Sequence, residues 1–419
     1  MKVIVAHPQQ QHSYRLATAL KKADMLSAYV TTVYYRHHTL TAFISRMLTG
    51  KWRKKAQSRR CESLDDKDVI QYDELGGLVV LFCHNIPFAR RWYDAIRRSV
   101  EDSFAEKVAT LAKKTNADAV IGYDGCSATL FQRVKEISPD TVCITDMSAA
   151  NALYLKRVYE IDSELKPAYS DSLRAWKRIW DPIDIARTEN ELKYSDCFLC
   201  GSSFVKRSLA VSGISADRCA VCHYGVDATT FTYTKSTKDP SEPLVFIYVG
   251  YVGEHKGISY LIEAFSAIES SMAKLICVGR IGLDDQIVSS LPPNIELVGS
   301  VNHDEVASYL SNSDVMLFPS LGDGFPLSIM EGLSSGLPVV CTENTGSADL
   351  IVSGKNGFVI PIQDSNALRQ KIEWFLENKD VLPTMAEFAH KTVSKYSWNA
   401  YYRNASESVK GLINHARNS

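Results

Sequence analysis

Two carboxylates stand eight residues apart, Asp323 and Glu331, in the run GDGFPLSIMEGLSSGLPVV that begins at Gly322. Between them Gly324, Phe325, Pro326 and Leu327 read as a glycine-containing turn that opens an apolar-faced helix. Such a turn brings backbone N–H groups to a helix N-terminus, where the dipole favours an anion. Pro326 suits the first helical position. Glu331 then lies about two turns up the helix, on the same face as Asp323 to within about 80°. In that arrangement one carboxylate addresses a sugar hydroxyl, the other a ribose diol, and a diphosphate sits between them. An N-capping Asp followed by a solvent-facing Glu satisfies the same spacing, which does not choose between the two.

A second constellation is YVGYVGEHKGISYLIEAF, starting at Tyr248. Gly250, Gly253 and Gly257 crowd one strand-to-helix turn, and Lys256 stands in it as a point charge, an arrangement that cradles phosphate. A surface lysine beside a tight turn is the plainer account of the same residues. No G-x-x-x-x-G-K-S/T occurs in the chain, so this is not a Walker loop. Nor is there a G-x-G-x-x-G fingerprint, which removes the main support for nicotinamide chemistry.

Metal chemistry finds little support. Asp66-Lys67-Asp68 imitates a D-x-D ligand pair but lies in an acidic stretch, 62–68, that reads as a solvated loop. Cys197 and Cys200, and again Cys219 and Cys222, have zinc-ribbon spacing. Their fillers are apolar, and on a strand residues i and i+3 face opposite ways, so neither pair chelates one ion. With no secretion signal at the N-terminus, the ten cysteines read as reduced core residues. The chain is expected to be cytoplasmic, with no cofactor and no metal.

Residues 46–60, RMLTGKWRKKAQSRR, hold seven basic side chains and no acidic one. Lys51, Trp52, Arg53, Lys54 and Lys55 combine cations with an aromatic ring, which suits an anionic membrane surface. Residues 86–98 add a second basic, aromatic stretch. A solvated basic face accounts for both equally well. Nucleic acid is disfavoured, since the net charge of −1 supplies no general attraction to it.

These residues need a scaffold, and 419 residues are too many for one core, so two domains are expected. Short β-branched runs alternate with helical patterns, the signature of parallel α/β architecture. Expected strands in the first half are 2–6, 27–33, 77–83, 119–123, 142–145 and 197–200. In the second they are 219–222, 244–248, 273–278, 294–298, 315–318, 338–342 and 357–360. Helices are expected over 13–26, 104–115, 258–269, 303–311, 327–334, 365–377 and 398–413. The rhythm gives an acceptor-side domain over 1–202, a nucleotide-binding domain over 203–392 and a terminal helix over 393–419. The polar segment 234–242 reads as a surface loop. Ligands of such sheets bind at the carboxyl ends of strands. That rule nominates Gln11, His12 and Ser13 after the first strand, His84 after 77–83, and Asp124 after 119–123.

The stretches ENELKYSDCFLCGSSFVKRSL from Glu189, HYGVDATTF from His223, the Lys256 loop and the run from Gly322 to Pro361 keep a consistent order and spacing. Together they resemble the retaining glycosyltransferases of family 4, glycosyl transferases group 1, which include bacterial polysaccharide transferases and are related to glycogen synthase. The resemblance implies a GT-B fold, in which two Rossmann-like doubly wound domains face each other across a cleft and the terminal helix returns to the first. It implies a nucleotide-diphospho-sugar as donor substrate and a glycan or lipid-linked acceptor. By the family pattern Glu331 binds the ribose and Asp323 the sugar hydroxyls. The amides from Gly324 to Leu327 bind sugar and phosphate, while Lys256 neutralises the leaving diphosphate.

Three positions depart from that pattern. Asp323 stands where the family carries Glu, and Tyr251 and His255 stand where a second basic residue accompanies the lysine. Asp146 takes the place of a histidine in the first domain. Arg280, in CVGRIG, is the candidate replacement for the missing cation. The departures leave two alternatives open: a degenerate binding partner of another transferase, or a sugar-nucleotide epimerase of the same fold.

Overall fold

The computed structural model describes every residue except 11, 227–230, 232, 234–241 and 419, and the side chain of Lys51. Seven strands form the first sheet: β1 Val3–Ala6, β2 Leu26–Thr31, β3 Val69–Gln71, β4 Ala119–Tyr123, β5 Val142–Met147, β6 Cys197–Cys200 and β7 Cys219–Val221. Six form the second: β8 Leu244–Val249, β9 Ala273–Val278, β10 Ile295–Gly299, β11 Val315–Phe318, β12 Val339–Thr342 and β13 Gly357–Ile360. Every neighbouring pair is parallel, in the orders β3-β2-β1-β4-β5-β6-β7 and β10-β9-β8-β11-β12-β13. The central strands β1, β4, β5, β6, β11 and β12 are buried at every residue, as a sheet covered by helices on both faces requires. These are the two doubly wound domains expected.

Strand order reverses where β1 pairs with β4 and where β8 pairs with β11. A crevice opens at the carboxyl ends of such pairs because the crossovers leave in opposite directions. The loops after β1, β4, β8 and β11 therefore line the two facing crevices.

Two expected elements are corrected. Residues 77–83 are not a strand but the middle of a helix, Glu74–Asn85. Only Gly77, Val80 and Cys83 are buried there, a helical spacing, while Leu75, Val79 and Phe82 remain exposed. An unbroken apolar run looks the same in a buried strand and in a helix apolar on two faces. The third strand is the three-residue β3, and His84 consequently lies on a helix rather than at a strand end. The second correction concerns Cys219–Val221, which is the seventh strand of the first sheet and not the start of the second. The division between sheets thus falls between Val221 and Leu244, later than residue 202. The 234–242 loop, apart from its last residue, lies outside the described residues.

The terminal helix Trp398–Asn418 returns to the first domain. There Arg15 lies 4.1 Å over the Trp398 ring and donates to the Tyr402 hydroxyl at 2.9 Å. The domains also meet directly across the cleft. Ser202 Oγ donates to the Gly324 carbonyl at 2.7 Å, and the Tyr154 hydroxyl donates to Asn344 at 3.1 Å.

Candidate functional site

The loop after β8 owes its shape to glycine. Gly257 adopts φ +69°, and a Cβ there would lie 1.9 Å from the Pro319 carbonyl oxygen. That close approach brings Lys256 beside the segment that follows β11. Its ammonium forms an ion pair with the Asp323 carboxylate, both side chains being less than one-fifth exposed. Lys256 Nζ also lies 5.6 Å from the centre of the Phe318 ring. The two residues assigned to phosphate and sugar are thus brought together, each satisfying the other's charge.

Asp323 is not a helix cap. Its N–H donates to the Asn344 carbonyl at 2.9 Å, its carbonyl accepts from Gly346 N–H at 2.8 Å, and its side chain turns to Lys256. The following helix is Leu327–Ser334, with Pro326 at the N-cap and no side chain capping it. Proline therefore precedes the first helical position instead of occupying it. Glu331 lies one turn into the helix, not two, because the helix begins at Leu327. The Glu331 carboxylate is half-buried and makes no hydrogen bond to any described residue. Burial raises its pKa, against a smaller opposing pull from His303. Gly324 is held by space as well: a Cβ would lie 2.0 Å from the Ser148 carbonyl of the first domain.

Next to Lys256 runs a column of rings. The Arg280 guanidinium lies 4.8 Å over Tyr251, Tyr251 stacks on His255 at 5.1 Å, and His255 meets Trp176 of the first domain at 4.6 Å. Burial, with Lys256 and Arg280 close by, drives the His255 pKa down to about 2. His255 is therefore a neutral ring, and the second cation beside the loop is Arg280, from the segment after β9. Gly250 and Gly253 flank Tyr251 in the same loop.

Across the cleft, His12 Nε2 lies 3.1 Å from Asp146 Oδ2 and 3.1 Å from the Tyr224 hydroxyl. Burial pulls the His12 imidazole down, but the Asp146 charge and hydrogen bond, with Asp124, more than offset it and leave its pKa raised. Asp124 accepts from Ser148 N–H at 3.1 Å and from its hydroxyl at 2.9 Å. The Tyr224 ring continues to Phe325 at 5.7 Å, so this cluster touches the donor-side turn. Tyr224 and Trp176 were not singled out by sequence reasoning. Tyr224 lies inside the HYGVDATTF stretch, but nothing in one sequence shows a ring crossing between domains.

The remaining candidates separate. Ser13 is wholly buried and hydrogen-bonded to Tyr29 at 2.9 Å, so it does not face a cleft. His84 is exposed on its helix, 5.3 Å from the Tyr93 ring. Gln11 lies outside the described residues. Trp52, Arg53, Lys54 and Lys55 project from an exposed helix, Gly50–Gln57, of the first domain. Asp65 to Asp68 form a capped 3-10 turn paired with Lys21. No group of three His, Cys, Asp or Glu among the described residues is placed to hold a metal, and the ten cysteines are free.

Residues 230–392 match the family described as Glycosyl transferases group 1. The second half of this chain is thus similar to group 1 glycosyltransferases. The amylovoran biosynthesis glycosyltransferase of Erwinia amylovora is 26% identical over 221 residues, covering 49% of this chain and 54% of that protein. The chain spans about half the length of the curated relatives it matches. Among solved structures, sucrose-phosphate synthase from Thermosynechococcus elongatus has a TM-score of 0.64 at 17% identity, covering 99% of this chain and 100% of that one. An Anabaena protein in complex with UDP-glucose has a TM-score of 0.58 at 14% identity, covering 98% and 99%. These likenesses show the fold, GT-B, over the whole chain. Lys256, Arg280, Asp323 and Glu331 all lie within the matched residues, whereas His12, Asp124 and Asp146 lie outside them.

Proposed function

We propose that this protein is a retaining glycosyltransferase of polysaccharide or glycolipid synthesis, transferring a sugar from a nucleotide-diphospho-sugar to a glycan or lipid-linked acceptor. One observation carries the reading: the Lys256–Asp323 pair stands at the reversal point of the second sheet, before an uncapped helix that holds Glu331. Donor binding exchanges that pair. The diphosphate takes Lys256 and the helix amides, which frees Asp323 for the sugar hydroxyls, while Glu331 receives the ribose diol. Arg280, guided by its contact with Tyr251, supplies the second positive charge on the leaving diphosphate. The acceptor attacks from the side where the phosphate departs, and the departing phosphate takes its proton. His12, oriented by Tyr224 and by Asp146, which takes the place of the family's histidine, contacts the sugar.

The alternative of a non-catalytic binding partner draws on the same pair, since a lysine already neutralised by its own carboxylate has less to offer a phosphate. Release of nucleoside diphosphate from a panel of nucleotide sugars distinguishes the two. Lys256→Ala and Glu331→Ala are each expected to slow release by roughly 10- to 150-fold, the effect of losing one charged hydrogen bond. Equal rates in wild type and both variants would remove the assignment.

A further inference from the structure

Three helices of the first domain, α1 Leu40–Met47, α2 Gly50–Gln57 and α3 Glu74–Asn85, line an apolar groove of about 390 Å³. Its walls include Ile44, Leu48, Trp52, Leu81 and Phe82. That volume falls within the range of small-molecule sites, about 300–1,000 Å³. Beside it, exposed Phe88 meets Phe82 at 6.2 Å. An exposed apolar groove of this kind marks a binding face.

Two cations, Lys55 and Arg59, line the same groove. Lys55 is exposed and donates to Asn85 at 3.4 Å, whereas Arg59 is half-buried. No hydrogen bond or ion pair joins the Arg59 guanidinium to a described residue. Half-burying an unpaired guanidinium is costly unless an anion completes it. Arg59 also borders a small hollow beneath Pro8 and Gln9, and Gln10 donates to the Ser58 carbonyl at 3.3 Å. The inner end of the groove thus abuts the loop that carries His12. Beside Arg59, the buried Tyr14 hydroxyl has no hydrogen-bond partner among the described residues.

We propose that this groove holds the hydrocarbon chain of a lipid-linked acceptor, and that Arg59 takes the phosphate joining that chain to the acceptor sugar. The inference rests on the transferase reading and narrows its acceptor to the lipid-linked class. Charge complementarity carries it: an apolar trough ending in a cation with no partner among the described residues suits an amphiphile with one anionic junction. Continuity with the acceptor loop selects a substrate over a protein partner, because the chain then leads its headgroup toward His12 and the cleft.

The full-length protein is titrated with geranylgeranyl phosphate, geranylgeraniol and inorganic phosphate, each followed by Trp52 fluorescence, with Trp52→Phe as the signal control. Geranylgeranyl phosphate should bind, inorganic phosphate should not, and the alcohol should bind more weakly. Arg59→Gln should weaken the phosphate lipid by roughly 10- to 150-fold and the alcohol less than twofold. Equal losses for the two lipids, or none for either, would overturn the proposal. So would a Trp52 response to anionic vesicles alone, which would make the face a bilayer contact. Nucleotide-sugar binding, measured on the same samples with Lys256→Ala, separates the two readings. Donor binding without prenyl phosphate binding rejects the groove alone, and prenyl phosphate binding without donor binding rejects the transferase.

Discussion

Asp323 is one methylene shorter than the residue the family pattern expects, and in this protein it reaches Lys256. The closeness makes the carboxylate a competitor of the donor diphosphate for the same ammonium. Asp323→Asn should therefore bind nucleoside diphosphate more tightly, by up to about tenfold for ~1.4 kcal/mol. Transfer should nevertheless slow by roughly 10- to 150-fold, because the sugar hydroxyls lose a charged acceptor. Calorimetry and initial rates on one preparation check both halves, and a variant that loses affinity and rate together contradicts the exchange. At this scale the sequence displayed the identities of Lys256, Asp323 and Glu331, because glycines and charges cluster in short runs. It did not display the Asp323–Lys256 pairing, which spans 67 positions, or the His12–Asp146 pair, which spans 134. Ser13 shows the opposite failure: its place in the loop suggested exposure, and the core claimed it.

Elements with a strong period were read from sequence almost to the residue. The helices His303–Ser311, Leu327–Ser334 and Ser365–Glu377 are examples, since each sets apolar residues on one face between clear stops. Helix α3 was misread because residues 77–83 are apolar throughout. Its exposed Phe82 is now accounted for as a wall of the groove beside the helix Gly50–Gln57. That basic helix exposes Trp52 with Arg53, Lys54 and Lys55. Binding to anionic vesicles should fall steeply with salt, because the screening length is about 8 Å at physiological ionic strength. Replacing Lys51, Arg53, Lys54 and Lys55 by Gln should remove most of that binding, about 4 kcal/mol at ~1 kcal/mol per charge. Vesicle sedimentation checks this, and an unchanged bound fraction returns the helix to an ordinary solvated face. No helix among the described residues is long and apolar enough to cross a membrane.

The two-domain plan was readable as a repeated strand–helix rhythm, but the contact between the domains was not. One such contact is a carboxyl pair. Asp162, on the helix Ala152–Leu165 of the first domain, accepts from the Tyr260 hydroxyl at 2.7 Å and from Gln363 at 3.1 Å. Its second oxygen has no donor among the described residues unless the neighbouring Glu254 carries a proton. Burial, and then the Asp162 charge, push the Glu254 carboxyl from its ordinary 4.5 up to about 9. The folded state therefore holds a proton that the unfolded chain releases above about 4.5. The stability this pair contributes is full below that pH and is lost as pH rises toward about 9. Glu254→Gln keeps a donor toward Asp162 without a titration. Its melting temperature should fall less than that of the wild type between pH 5 and about 9. Parallel melting curves across that range would show that the pair does not share a proton.

The central claim is that the second domain holds a nucleotide-sugar diphosphate on Lys256. Isothermal titration of the full chain with UDP, GDP and ADP, repeated on Lys256→Ala, tests it most directly. One of the three nucleotides should bind the wild type, and Lys256→Ala should weaken that nucleotide by roughly 10- to 150-fold. Binding of none of them, or an affinity untouched by the substitution, would contradict the account.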